Sequence, residues 1–482
     1  MIQNDKYQVV IGLEVHAQLL TKSKLFCSDS TSFGTEPNTQ VSPISLAHPG
    51  TLPKMNKKAI ELAVKLGLAL HCEIEQHNYF ARKNYFYPDL PKGYQVSQHT
   101  APICKGGYLS IKATDQVNHV KLNRIHLEED AGKSIHDADE HYTCIDLNRA
   151  GVPLLEIVTE PDMHSAEEAF SFLTELRKIV RWLDVCDGNM EEGSMRCDAN
   201  ISIRLKGETA LGKRVEVKNL NSIRNVKKAI EIETGRLIGI VEQNKVIIQE
   251  TRSFDADKNT TFSLRSKEEA DDYRYFPEPD LPPFFITENY IKDISAALPV
   301  LPEQLKVKYI DTFSLTEYDA ATICNDKEDT LFFETLITYT SHYKAAANWL
   351  LGPLKFYCNE NNISIAAFPL QHSAIAALIA LTESGQVNFN NASTKILHTW
   401  ISAPGKTALQ VAQELNLLQE SDTNAVEDWV NQVISSMPEK IKEYKSGKKG
   451  LMGLFAGEVK KMSKGKADMQ LVNKLLSEKL NQ

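Results

Sequence analysis

Between Met195 and Arg204 apolar and polar residues alternate without a break. Met195, Cys197, Ala199, Ile201 and Ile203 fall on one side of a strand, and Arg196, Asp198, Asn200, Ser202 and Arg204 on the other. The polar side carries two guanidiniums, a carboxylate, an amide and a hydroxyl. It follows Gly188-Asn-Met-Glu-Glu-Gly193, a turn that adds two more carboxylates. Solvated strand faces favour Thr, Lys and Glu, so this one reads as a polar floor for an anionic or metal-bound substrate. A surface strand with a satisfied ion pair is the plainer alternative. A second alternation sets Ile11, Leu13, Val15, Ala17 and Leu19 against Gly12, Glu14, His16 and Gln18, and predicts a half-buried strand.

Helical spacing appears from Asn56 to Leu70, and again after Ser165-Ala-Glu-Glu168, a capping box whose apolar stripe is Ala169, Phe172, Leu173, Leu176, Ile179, Val180 and Leu183. Ser222 opens another helix toward Val241. Helices and long turns separate the strands without regular βαβ units, which predicts an α+β domain with a mixed, largely antiparallel sheet. Tyr275–Pro283 has four prolines in nine residues and cannot continue a helix or a central strand, so it marks a boundary. Beyond it the pattern is nearly all helical, with a second break near Ser402-Ala-Pro-Gly405. The expected organisation is a cradle domain over 1–293 followed by two all-α domains, 294–404 and 405–482.

At 482 residues the chain has ample length for such domains, and its composition is that of an ordinary globular protein. No signal peptide is recognisable, and no run of ~18 apolar residues could span a bilayer. The eight cysteines include no Cys-x-x-Cys pair, which points to reduced, mostly buried thiols and a cytoplasmic location. A net charge of −9 does not suggest a nucleic-acid binder, but Pro438–Gln482 holds 11 Lys against 5 Asp or Glu, a local net of +6 suited to phosphate contact.

Glu14 and His16 share a strand face and could bind a divalent cation together, although a surface hydrogen bond is the simpler role for such a pair. Acidic groups accumulate in the same domain. His126-Leu-Glu-Glu-Asp-Ala-Gly-Lys133 has three carboxylates in a row, and Glu156 sits in the apolar stretch Val152–Val158, where an unpaired carboxylate is expensive to bury. Glu191, Glu192 and Asp198 complete the set. Hard oxygen ligands with at most one imidazole suit Mg²⁺. Lys83, Arg149, Arg196, Lys218 and Arg252 supply opposite charge. No P-loop, dinucleotide fingerprint, zinc-protease motif or nucleophile elbow is present. From the residues alone, the reading stops at a metal-dependent site that handles phosphate.

Several long strings are more specific. Ile11-Gly-Leu-Glu-Val-His-Ala-Gln-Leu19, Asn84-Tyr-Phe-Tyr-Pro-Asp-Leu-Pro-Lys-Gly-Tyr-Gln95, Leu127-Glu-Glu-Asp-Ala-Gly-Lys133 and Asn148–Pro161 resemble the B-subunit family of the aspartyl/glutamyl-tRNA(Asn/Gln) amidotransferases. So do Glu216–Ser222, Gln249–Arg252, Leu264–Pro277 and Gly457–Ala467, so the resemblance covers essentially the whole chain. It implies a protein that phosphorylates the side-chain carboxylate of Glu-tRNA(Gln) or Asp-tRNA(Asn) with ATP and Mg²⁺. Ammonia from the amidase (A) subunit then displaces the phosphate, and a small (C) subunit belongs to the same complex. By motif, Glu14, His16 and Glu129 would be metal ligands, with Glu156 a fourth. Glu129, Lys83 and Arg149 would serve catalysis, with Lys83 and Glu129 near the mouth of the ammonia path. From the geometry of the strand face more than from the family, Arg196, Asp198 and Asn200 would line the cradle around the nucleotide or the acyl substrate, with Lys218 and Arg252 as further nucleotide ligands. The helical domains and the Lys-rich tail would contact the tRNA body.

One departure stands out. Many members of the family place Cys-x-Cys and Cys-x-x-Cys where this chain has Cys27-Ser-Asp29 and Ser42-Pro-Ile-Ser45, so no structural zinc is expected. Two competing readings are a tRNA-binding scaffold without a metal site, which the intact Glu14, His16 and Glu129 oppose, and a free-standing ligase that uses bulk ammonia.

Overall fold

The computed structural model describes residues 6–113, 116–266, 273–403, 405–419, 423–463 and 466–481. Parts of the Leu264–Pro277 and Gly457–Ala467 strings, and Pro404 of the second expected break, lie outside them. The chain divides into two compact units, Met1–Leu301 and Pro302–Gln482.

The first unit is built on β1 (Tyr7–Gln18), β2 (Ala81–Asn84), β3 (Tyr94–Ser97), β4 (Asn118–Glu129), β5 (Pro153–Thr159), β6 (Met195–Leu205), β7 (Val215–Leu220), β8 (Glu250–Asp255), β9 (Thr260–Ser266) and β10 (Phe276–Pro277). They form one sheet in the order β9-β8-β7-β6-β1-β5-β4-β3-β2-β10, with three short strands off this path, two paired with β4 and the third with one of those two. Every pairing along this order is antiparallel except β7 with β8. This is the mixed, largely antiparallel sheet that the spacing predicts. The proline-rich stretch is tied into it as well. Phe276 and Pro277 pair with Arg82 and Ala81 at the sheet margin, where a residue lacking an N–H is tolerated.

Helices α1 (Lys57–Ala69), α2 (Ala166–Trp182) and α3 (Ile223–Glu242) pack against the sheet. Met195, Cys197, Ala199 and Ile201 are almost wholly buried, while Arg196, Asp198 and Asn200 stay half-buried on the opposite side. All seven residues of the expected α2 stripe are buried. Its N-terminus is half a capping box. Ser165 Oγ accepts the Glu168 N–H at 3.1 Å, but the Glu168 carboxylate takes the His164 N–H instead of closing back on Ser165.

The second unit is helical throughout its described residues, from Pro302–Phe313 to Met469–Asn481. Near its end, Val426, Val430, Phe455, Val472 and Leu476 form part of an apolar cluster drawn entirely from residues after 425.

Candidate functional site

Strand register assembles the site. His16 on β1 lies opposite Glu156 on β5 and Arg196 on β6, and Glu156 lies opposite His126 on β4. Directly opposed residues share a face, so these four side chains form a row across the sheet. Glu128 follows His126 by two residues and joins the same face. His16 Nε2 is 3.4 Å from Glu156 Oε2 and 3.8 Å from Glu128 Oε1. His126 Nε2 is 3.4 Å from Glu156 and 3.6 Å from Glu128. One ligand atom each from His16, Glu128 and Glu156 lie within 4.8 Å of one another. An imidazole nitrogen between two carboxylate oxygens fits a hard divalent cation such as Mg²⁺.

The charges here are strongly coupled. Burial disfavours protonation of both rings, but Glu156 and Glu128 outweigh it: His16 is raised, and His126 is pushed up to about 9. Burial also opposes ionisation of Glu156, yet His126 and His16 hold its carboxyl well below the usual range. Protons on the rings therefore offset the carboxylate charge that a cation would otherwise neutralise.

The other expected residues distribute unevenly around this cluster. Glu14 is on the same face, one pleat along β1, and accepts Asn200 Nδ2 at 2.8 Å. Burial raises its carboxyl, and Glu156 and Glu216 add to the effect. Asp198 accepts Lys218 Nζ at 2.6 Å, and Lys218 also reaches Glu216 at 3.0 Å. Arg196 Nη2 donates to Asp130 at 2.7 Å. Lys83 approaches from β2; burial works against its charge, but Glu128 raises its pKa. Arg149 donates to the Ala131 and Gly132 carbonyls at 2.9 and 2.6 Å, which makes it a clamp on the turn after β4.

Two placements differ from expectation. Glu129 does not meet Glu14 and His16. Side chains alternate along β4, so Glu129 faces away from Glu128 and is held by Lys92 and by the Val96 N–H at 2.9 Å. There it lines a cavity of ≈ 160 Å³ together with Phe26, Leu90 and Val96. Arg252 is also on the wrong side for the cradle. It lies opposite Val217, on the helix-covered face, and is engaged by Glu250 at 2.8 Å and by the fully buried Glu233 at 3.2 Å. Glu191 and Glu192 are exposed. His126 and Glu128 stand in the acidic string 126–133 of the sequence but receive no role of their own there. Their i, i+2 spacing is the same signal that paired Glu14 with His16.

Residues 9–292 match the GatB/GatE catalytic domain family, and residues 331–480 match the GatB domain family. The chain belongs to the GatB family. Proteins named as the B subunit of aspartyl/glutamyl-tRNA(Asn/Gln) amidotransferase are similar to it along their whole length. The one from Thermodesulfovibrio yellowstonii is 47% identical over 471 residues, covering 98% of each chain. Those from Persephonella marina and Geotalea uraniireducens are 46% and 47% identical, covering 98% and 99% of this chain and 100% of the relatives. The polar row from Arg196 to Glu128 falls wholly inside the GatB/GatE catalytic span.

Proposed function

We propose that this chain is the activating subunit of a tRNA-dependent amidotransferase. The free side-chain carboxylate of a Glu or Asp that is esterified through its α-carboxyl to the non-cognate tRNA(Gln) or tRNA(Asn) is its acceptor. An oxygen of that carboxylate attacks the γ-phosphorus of ATP, and the bond to ADP breaks. Ammonia then attacks the acyl carbon, phosphate leaves with the carboxylate oxygen, and the surplus proton is lost to the medium. The two-step route is needed because a carboxylate resists amines until its oxygen becomes a good leaving group. The amidase (A) subunit would supply ammonia, and the small (C) subunit would complete the complex.

The observation that carries this reading is the His16–Glu128–Glu156 cluster, flanked by Lys83 on one side and by Arg196 and Lys218 on the other. His16, Glu128 and Glu156, with Glu14 beside them, would hold Mg²⁺, which offsets charge on phosphate oxygens when bound. Lys83 is placed to steady the acceptor carboxylate. Lys218, kept charged by Asp198 and Glu216 although burial opposes it, is placed to meet the nucleotide phosphates, with Arg196, Asp198 and Asn200 as the supporting floor. Glu129 and Lys92 line the cavity on the far face, a position suited to guiding ammonia.

The three-part organisation over 1–293, 294–404 and 405–482 is supported at its C-terminal end by the separate apolar cluster after residue 425. That end, with its net of +6, is assigned to the tRNA body. A cytoplasmic location accords with eight free thiols and with the absence, among the described residues, of a helix long and apolar enough to cross a membrane.

The test is amidation of Glu-tRNA(Gln) and Asp-tRNA(Asn) by the reconstituted three-subunit complex. Activity on at least one tRNA that vanishes in Glu128→Gln is expected. Undiminished activity in that variant would remove the cluster from the mechanism. Replacing the amidase partner with an ammonium salt separates channelled ammonia from bulk ammonia.

A further inference from the structure

Beside the metal cluster, at the β2–β3–β10 end of the sheet, stands a group of aromatic rings that the proposed chemistry does not use. His99, just after β3, and Tyr275, just before β10, are stacked with centroids 3.9 Å apart and planes 7° apart. Tyr273 meets Tyr275 edge-on at 6.1 Å, and Tyr85 meets Tyr273 edge-on at 6.0 Å. Lys83 Nζ sits 5.1 Å from the Tyr273 ring, so the wall begins where the cluster's own cation ends. These rings are not core. His99 is exposed, and Tyr85, Tyr273 and Tyr275 are only partly buried. A run of half-open rings next to a basic, carboxylate-lined cradle has the chemistry of a nucleobase platform, since every base offers a π-face.

Two adenine-bearing substrates could use it, the ATP and the 3′-terminal adenosine that carries the aminoacyl group. Position separates them. On the other side of the cluster, between β1, β5 and β6, a cavity of ≈ 440 Å³ is floored by Glu14, Asn200 and Ser202 and edged by Lys213 and Arg214. That end offers cations for phosphates and volume for a nucleotide. In an in-line transfer the attacking carboxylate and the leaving ADP lie on opposite sides of the phosphoryl group. With ATP entering from the cavity, the acceptor must enter from the aromatic wall. We propose, on the basis of the amidotransferase reading, that His99, Tyr275 and Tyr273 stack the terminal adenine of the aminoacyl-tRNA and so deliver its side-chain carboxylate to Lys83 and the metal cluster.

The test uses the reconstituted complex. His99→Ala combined with Tyr275→Ala should raise KM for the mischarged tRNA about tenfold or more, within the range for losing a base stack. KM for ATP should stay within twofold. Tyr275→Phe keeps the ring and should behave as the parent, which separates stacking from a folding defect. A tRNA ending in 2-aminopurine should lose fluorescence on binding the parent complex and keep it with the double variant. An unchanged tRNA KM, unchanged quenching in the double variant, or a rise in ATP KM instead would overturn the assignment while amidation by the parent complex upholds the amidotransferase reading. A parent complex that amidates neither tRNA would overturn both.

Discussion

Replacing Glu128 with glutamine removes one of the two carboxylates that share His16, whereas Glu129→Gln alters the opposite face of the same strand. Mn²⁺ affinity, read from the EPR signal of free ion, should fall about tenfold or more in Glu128→Gln and stay within about twofold in Glu129→Gln. The reverse result would restore the grouping of Glu129 with Glu14 and His16. Arg252 allows a second separation. In Arg252→Ala the buried Glu233 keeps, among the described residues, Arg236 as its cation, and stability should drop by about 3 kcal/mol in urea melts. KM for ATP should not move; a large rise would put Arg252 back among the nucleotide ligands. At this scale the sequence showed which residue types converge, because carboxylates, imidazoles and cations recur near alternating strands. It did not show which of two adjacent glutamates faces the site. That depends on where β4 begins to alternate, and its pairing with β5 decides it. Arg252 illustrates a related point: in the sequence a charge reads the same whether it meets a substrate or a buried Glu233.

Among elements, an ion pair reinforces the strand pairing at the margin of the sheet. Arg82 on β2 donates to both oxygens of Glu278 at 2.7 Å each and reaches Asp280 at 3.2 Å, holding the proline-rich stretch against the strand. Glu278→Gln should cost about 1–2 kcal/mol near neutral pH, because it removes one of the two carboxylates that hold a partly buried guanidinium. Burial opposes ionisation of Glu278, but Arg82 holds its carboxyl below the usual range. A depressed folded-state value means that the contribution is complete above the unfolded carboxyl value of about 4.3 and disappears as pH falls through the folded one. Urea melts of parent and variant should therefore differ most at neutral pH and converge in acid; a gap that widens in acid would contradict the pairing. Strands and helices with strong periodicity, such as β6 and α2, were readable from the chain alone. β10 was not, since four prolines in nine residues signal a break. Only the pairing with Ala81 and Arg82 shows that a break can also serve as an edge.

Over the whole molecule, the loop where the resemblance implies a four-cysteine site keeps only one of those thiols, Cys27. Ser45 Oγ donates to Asp29 Oδ2, the Ser42 N–H donates to Ser45 Oγ at 2.9 Å, and the Lys24 N–H donates to the Asp29 carbonyl at 2.9 Å. The loop is thus closed by hydrogen bonds around a carboxylate. Elemental analysis of the purified protein should find zinc well below one equivalent; a full equivalent that Cys27→Ser removes would contradict this. The division of labour between the faces of β4 has a different consequence, for mutational tolerance. Glu128 and Glu129 serve opposite sides of one strand, so β4 tolerates change only in steps of two. Deleting a single residue between Asn118 and Ile125 would shift the strand's phase, turning Glu129 toward the cluster's face and Glu128 toward the far face without removing either. In a deletion scan, such losses should be far more damaging than losses of equal size in the exposed 137–143 turn, although both leave the complement of site residues intact.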